Sequence, residues 1–162
     1  MNYKPINAMN TLQARNEAII NAPVNRIWAV ITDISLLHRV NPGVIKATGT
    51  MNELNASRTC EINNRGKTGS MTERLIEMET ESKTVWTIES DNMGMSKMLK
   101  NTRFCFHLQK ISDAQTKVVS ETWYQPANLP ARIMNGLMMK KMIAKAQQQI
   151  LNNIKTLTEK PA

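Results

Sequence analysis

Aromatic side chains are scarce in this sequence: three Trp, two Tyr and two Phe among 162 residues. Apolar bulk comes from aliphatic residues and from twelve methionines. No window approaches the roughly 20 apolar residues that cross a bilayer as a helix. The opening residues, MNYKPINAMN, hold no apolar run of the kind a secretory signal carries. Cysteine is limited to Cys60 and Cys105, too few for a disulfide-stapled miniprotein. The expectation is two free thiols in a reducing cytoplasm. Six Gly and six Pro exclude a collagen-like chain, while 41% hydrophobic and 21% charged residues exclude a disordered one. The length suits one domain over 1–162, with 1–11 a loose leader.

Catalytic chemistry is also thin. The histidines are His38 and His107. His107 lies two residues from Cys105, so both point the same way from a strand. With Cys60 they match no common zinc spacing, and neither a metal nor a cofactor is expected. No third group is singled out to complete a Ser-His-Asp or Cys-His arrangement. Gly66-Lys67-Thr68 copies the end of a phosphate loop, but Glu61 stands where the first Gly belongs. That segment reads as a hairpin turn.

What is present is a clear order of elements. A strand from Leu12 to Ile20 precedes Asn21-Ala22-Pro23, a helix start. Val24, Ile27, Trp28 and Ile31 follow at helical spacing, and Ser35-Leu36-Leu37 opens a second short helix that must stop at Asn41-Pro42-Gly43. Strands are expected near 44–53, 57–63, 69–78, 83–90, 101–110 and 116–124, joined by breaks short enough for an antiparallel meander. One long helix is expected over 131–158. Met139, Ile143, Ala146, Ile150, Ile154 and Leu157 form its stripe. Its first half, 133–143, is apolar around most of its circumference and needs cover on more than one side.

This order, with the text Ala22-Pro23-Val24-Asn25-Arg26-Ile27-Trp28-Ala29-Val30-Ile31-Thr32-Asp33 and then Asn41-Pro42-Gly43-Val44, resembles the START-like or SRPBCC superfamily. That superfamily includes polyketide cyclase/dehydrase-like, coenzyme-Q-binding-like and birch-pollen-allergen-like proteins. One departure is that His38-Arg39-Val40 replaces the Trp many relatives carry before the Asn-Pro-Gly turn. The resemblance implies an α+β helix-grip fold, a curved antiparallel sheet of about seven strands wrapped around a long C-terminal helix. Between sheet and helix it implies a cavity for a lipid, quinone or polyketide.

Strand alternation and the Met-rich half-helix suggest the lining of that cavity: Trp28, Trp86, Ile88, Phe104, Phe106, Trp123, Met134, Met138 and Met142. Methionine walls adapt to varied apolar ligands. Were the protein an enzyme of the cyclase/dehydratase type, a pocket acid or base would act, and Glu121, then Glu73 or Arg103, are the candidates.

Charge is uneven within a net +8. From 122 to 158 there is no acid, yet Arg132, Lys140, Lys141, Lys145 and Lys155 are present. A basic helix beside excess apolar surface suits an anionic membrane surface through Arg132, Lys140, Lys141 and Lys145. The helix has no aromatics interleaved with its bases, which argues against nucleic acid. The leading expectation is therefore a binder or carrier of a hydrophobic small molecule. A polyketide cyclase/dehydrase-type enzyme is the first alternative, and a module docking on a protein, membrane or ribosome is the second.

Overall fold

The computed structural model describes residues 10–64 and 66–159. Seven antiparallel strands form one sheet in the order β1-β7-β6-β5-β4-β3-β2. They are β1 (Thr11–Ile20), β2 (Val44–Gly49), β3 (Ser57–Asn64), β4 (Lys67–Glu79), β5 (Lys83–Asp91), β6 (Leu99–Ser112) and β7 (Gln115–Pro126). Each strand from β2 to β6 pairs with the next in sequence, and β1 closes on β7. Between β1 and β2 lie α1 (Val24–Ile31), a short 3-10 turn and α2 (Leu37–Val40). Between β5 and β6 lies α3 (Met95–Met98). The chain ends in α4 (Leu129–Met134), a π turn (Asn135–Met139) and α5 (Lys140–Glu159).

Local chemistry sets these boundaries. Pro23 precedes the first turn of α1, where a missing N–H costs nothing. The Asp33 carboxylate accepts from the Ser35 amide and hydroxyl, which closes the turn into α2. Asn41 Oδ1 accepts from the Gly43 amide at 3.0 Å and fixes the Asn-Pro-Gly turn. β2 ends earlier than the 44–53 expected. Gly49 sits at φ +111° and a Cβ there would lie 2.2 Å from the Ser57 carbonyl oxygen, so the backbone crossing at this point admits only glycine. Gly66, at φ +84°, donates to Asn63 Oδ1 in the β3–β4 hairpin, as the turn reading required.

Most of the expected leader lies outside the described residues; of its last two, Asn10 precedes and Thr11 opens β1.

Two apolar clusters make the core. One gathers Ile20, Ile27, Ile31, Val40, Leu108, Val118, Leu151 and Ile154, joining α1, α2 and the second half of α5 to β1, β6 and β7. The other gathers Leu37, Val44, Met51, Ala56, Cys60, Leu75 and Trp86 under β2–β5. The helix stripe differs by one position from the sequence expectation. Gln147, Leu151, Ile154 and Thr158 are buried, Ile150 is half-buried and Ala146 is exposed. A glutamine takes the inner position because it is fully partnered there. It donates to Thr122 Oγ1 at 2.7 Å and accepts from Asn16 Nδ2 at 3.0 Å. Burial with such partners is tolerated.

Candidate functional site

The face of the sheet that meets the helix is fixed by Thr122 and Asn16, both bonded to Gln147. Register carries that face across the sheet. Thr122 pairs with Phe104, Phe104 with Trp86, and Trp86 with Leu75. Phe106 opposes Ser120 on the same face. Trp86, Ile88, Phe104 and Phe106 thus lie on the inner face, as alternation suggested, but they do not form one lining. Trp86, 4% exposed, belongs to the second cluster with Phe104 against it. Phe106 and Trp28 pack against the first cluster. Ile88 lines a notch of about 270 Å³ between β5 and β6, with Thr87, Leu99, Lys100 and Arg103.

Two residues of Glu121, Thr122 and Trp123 share the outer face, and the structure identifies them. Trp123 Nε1 donates to Glu121 Oε2 at 3.1 Å, and Glu121 also faces Arg15 and His107 at 3.4 and 3.5 Å. Glu121 is therefore part of a surface charge cluster with no path to the inner face, and Trp123 lies with it rather than toward the helix. Arg103 is on that outer side too, donating to Thr87 Oγ1 and the Thr102 carbonyl. Cys105 shares the outer face with His107, as expected, but is covered by its neighbours; burial pushes its thiol up to about 12. Among the described residues no group of three His, Cys, Asp or Glu could hold a metal ion.

Of the three acid/base candidates, Glu73 alone points inward. It pairs with Arg58, missed in the sequence, at 2.6 Å. The Arg58 guanidinium lies 3.9 Å from the centroid of the Trp86 ring and contacts Met51 Sδ. Both charges are nearly buried. Removing one member of such a pair strands the other and costs about 3–5 kcal/mol. The pair was legible in principle: the hairpin register that sets Asn63 opposite Thr68 also sets Arg58 opposite Glu73. Burial, and secondarily the Glu73 charge, pushes neighbouring Cys60 up to about 11.

The start of the C-terminal helix is built differently. Asn128 caps it by accepting from the Ala131 amide, and Pro130 occupies its first turn. Ala131 and Asn135 are buried against the sheet. Asn135 Oδ1 accepts from the Tyr124 hydroxyl, and its Nδ2 donates to Gln13 Oε1 at 3.0 Å. Asn135 and Gln147 are twelve positions apart, which in a regular α-helix sets them about 120° apart. The π turn takes up one extra residue, cutting that to about 20°. Both amides can then face the sheet.

The same turn decides what is left outside. Leu129 is eighteen positions before Gln147, about five whole turns of α-helix, and would otherwise share its side. Instead Leu129, Ile133 and Leu137 are exposed, Leu137 by 73%. Met134, Met138 and Met142 are exposed beside them. Leu129, Pro130, Ile133, Met134 and Leu137 form an apolar groove of about 410 Å³. Of the three helix methionines expected as lining, Met134 alone lines this groove; Met138 and Met142 are exposed on the helix, and none of the three joins the cluster of Trp86 and Phe104.

The sequence matches the profile of a family described as polyketide cyclase/dehydrase and lipid transport over residues 11–159. No curated protein matches it. Solved structures share the fold at low identity. A Thermus thermophilus protein is 16% identical, with a TM-score of 0.69 over 89% of this chain and 94% of the other. The major latex-like protein 151 of Panax ginseng is 9% identical, with a TM-score of 0.73 over 94% and 100%. Norcoclaurine synthase from Thalictrum flavum, solved with dopamine and hydroxybenzaldehyde, is 14% identical, with a TM-score of 0.68 over 95% and 90%.

Proposed function

The chain belongs to the polyketide cyclase/dehydrase and lipid transport family, and from that premise we propose that it binds or carries a hydrophobic small molecule, a lipid, quinone or polyketide-like compound. The ligand lies against the exposed side of the first half of the C-terminal helix, with its apolar body along Ile133, Met134 and Leu137. One observation carries this reading: a groove of about 410 Å³ lined by Leu, Ile, Met and Pro stands open at the helix start. The groove is wide open and its lining is apolar almost throughout, which suits holding one side of an apolar ligand. Methionine suits the role because its thioether repacks around varied apolar shapes. The two free, buried thiols fit a reducing compartment such as the cytoplasm.

Native mass spectrometry of the full chain, incubated with a panel of fatty acids, quinones and aromatic polyketides, tests this. A one-to-one adduct that disappears in Ile133→Glu/Leu137→Glu is the expected result. A clean unliganded mass with every class overturns it.

A second reading, a cyclase/dehydrase-type enzyme, has one observation in its favour. Arg58 and Glu73 bring a cation and a carboxylate together on the inner face. Against it, each is already satisfied by the other and covered by Met51 and Trp86. Turnover of a bound polyketide that Glu73→Gln abolishes, with ligand binding intact, would favour the enzyme.

A further inference from the structure

The open groove lies on a helical segment whose charged side chains all have one sign. Arg132, Lys140, Lys141 and Lys145 are all exposed on the same helix as Leu129, Ile133 and Leu137. No acidic residue occurs anywhere from 122 to 158. Elsewhere among the described residues, Leu12, Ile19, Ile45, Leu54 and Ile111 are also exposed, but they are dispersed over the sheet strands and one loop. On the helix the exposed apolar residues recur at spacings of three and four. A contiguous apolar patch of this kind on a folded chain marks a contact surface.

We propose that the segment 129–145 is a docking surface for an anionic lipid bilayer. Its apolar residues enter the interface between headgroups and acyl chains, and its four bases meet lipid phosphates. Charge selects this occupant. A second copy of the chain using the same face would set the four bases of one protomer against those of the other, because a two-fold contact brings identical patches together. A bilayer rich in anionic headgroups supplies the complement. Each base near such a surface adds attraction that falls off within a Debye length, and the apolar residues add a part that salt does not screen. The π turn is what makes the surface available, since it turns Leu129 and Ile133 away from the sheet while Asn135 holds the helix down.

This deepens the carrier reading and rests on it for its purpose, because a ligand in the groove then faces the membrane it is exchanged with. The two are nevertheless separable by experiment. The full chain is floated with vesicles of phosphatidylcholine alone and with vesicles containing about one-third phosphatidylglycerol. It is expected to float with the anionic vesicles only. Lys140→Glu/Lys141→Glu/Lys145→Glu should lose at least about tenfold in partitioning while keeping its melting temperature and its ligand adduct, since none of the three lines the groove. Ile133→Ser/Leu137→Ser should lose binding that persists in about 1 M salt, where charges are screened beyond ~3 Å. Equal flotation with neutral and anionic vesicles, or no response to charge reversal, overturns the docking surface. So does a concentration-dependent dimer that Ile133→Ser/Leu137→Ser dissociates in the absence of vesicle binding. Loss of the ligand adduct in the parent chain, with docking intact, would instead remove the carrier reading and leave the surface standing.

Discussion

From Gln147 onward the C-terminal helix presses Leu151, Ile154 and Thr158 into the core, each fully buried. Before Met142 the same helix leaves Leu129, Ile133 and Leu137 in solvent. Composition does not separate the halves, since the exposed half is the more apolar. What separates them is the facing surface. The second half meets α1, α2 and β1 with matching aliphatic side chains. The first half is tied to β7 and β1 by Asn135, through Tyr124 and Gln13. One half is fixed by hydrophobic burial. The other is fixed by a few hydrogen bonds that let its apolar side turn outward.

The largest effect that would sharpen this contrast lies in the packed half. Leu151→Ala should cost about 3 kcal/mol by loss of burial and creation of a cavity. For a chain this size that lowers the melting temperature by roughly 6–12 °C. A loss below about 1 kcal/mol would mean the second half is not anchored by its core contacts.

Next comes the polar anchor of the other half. Asn135→Ala leaves the buried Tyr124 hydroxyl and Gln13 without that partner, and the cost should be about 1–3 kcal/mol by chemical denaturation. Hydrogen exchange should then rise over 129–142 and stay low over 147–158. Uniform loosening of the whole helix would break the distinction between its halves.

How much of this was readable beforehand follows the same line. Turn chemistry is local, so Asn41-Pro42-Gly43 and the hairpin at Gly66 stood out, and with them the meander and the gripping helix. The helix register was not readable from apolar spacing. Gln147 and Asn135 are buried only because Asn16, Thr122, Tyr124 and Gln13 meet them from strands far away in sequence. The inner face of β7 was equally hidden. Val118 and Val119 are both buried, so alternation gave no sign that Thr122 and Tyr124, and not Glu121 and Trp123, point to the helix. Met134, Met138 and Met142 stood out by composition, but their exposure did not, and for Met134 it depends on a π turn that no residue pattern announced.

A smaller effect is expected from alkali. Burial pushes the Tyr124 phenol up to about 12, and burial holds Cys105 and Cys60 at about 12 and about 11. All three are raised, so the folded chain keeps protons that the unfolded chain releases. Their contribution is complete below the unfolded values, about 8.5 for Cys and 10 for Tyr, and is lost as pH rises toward 11–12. The melting temperature should therefore fall between about pH 8 and pH 11, and Tyr124→Phe should fall less steeply. An identical slope in that variant would show that the phenol ionises freely and does not hold the helix start.

The smallest effect is the most informative about the open half. Leu137→Ser removes one of the most exposed apolar side chains of the helix, and stability should change by no more than about 0.5 kcal/mol. A large aliphatic residue that can be removed without cost to folding is not held there by the fold. Binding of an apolar fluorescent dye should drop in the same variant, because Leu137 supplies part of the apolar wall the dye would rest on. If Leu137→Ser instead destabilised the chain as strongly as Leu151→Ala, the first half would be packed in solution, and both the ligand groove and the docking surface built from it would be closed.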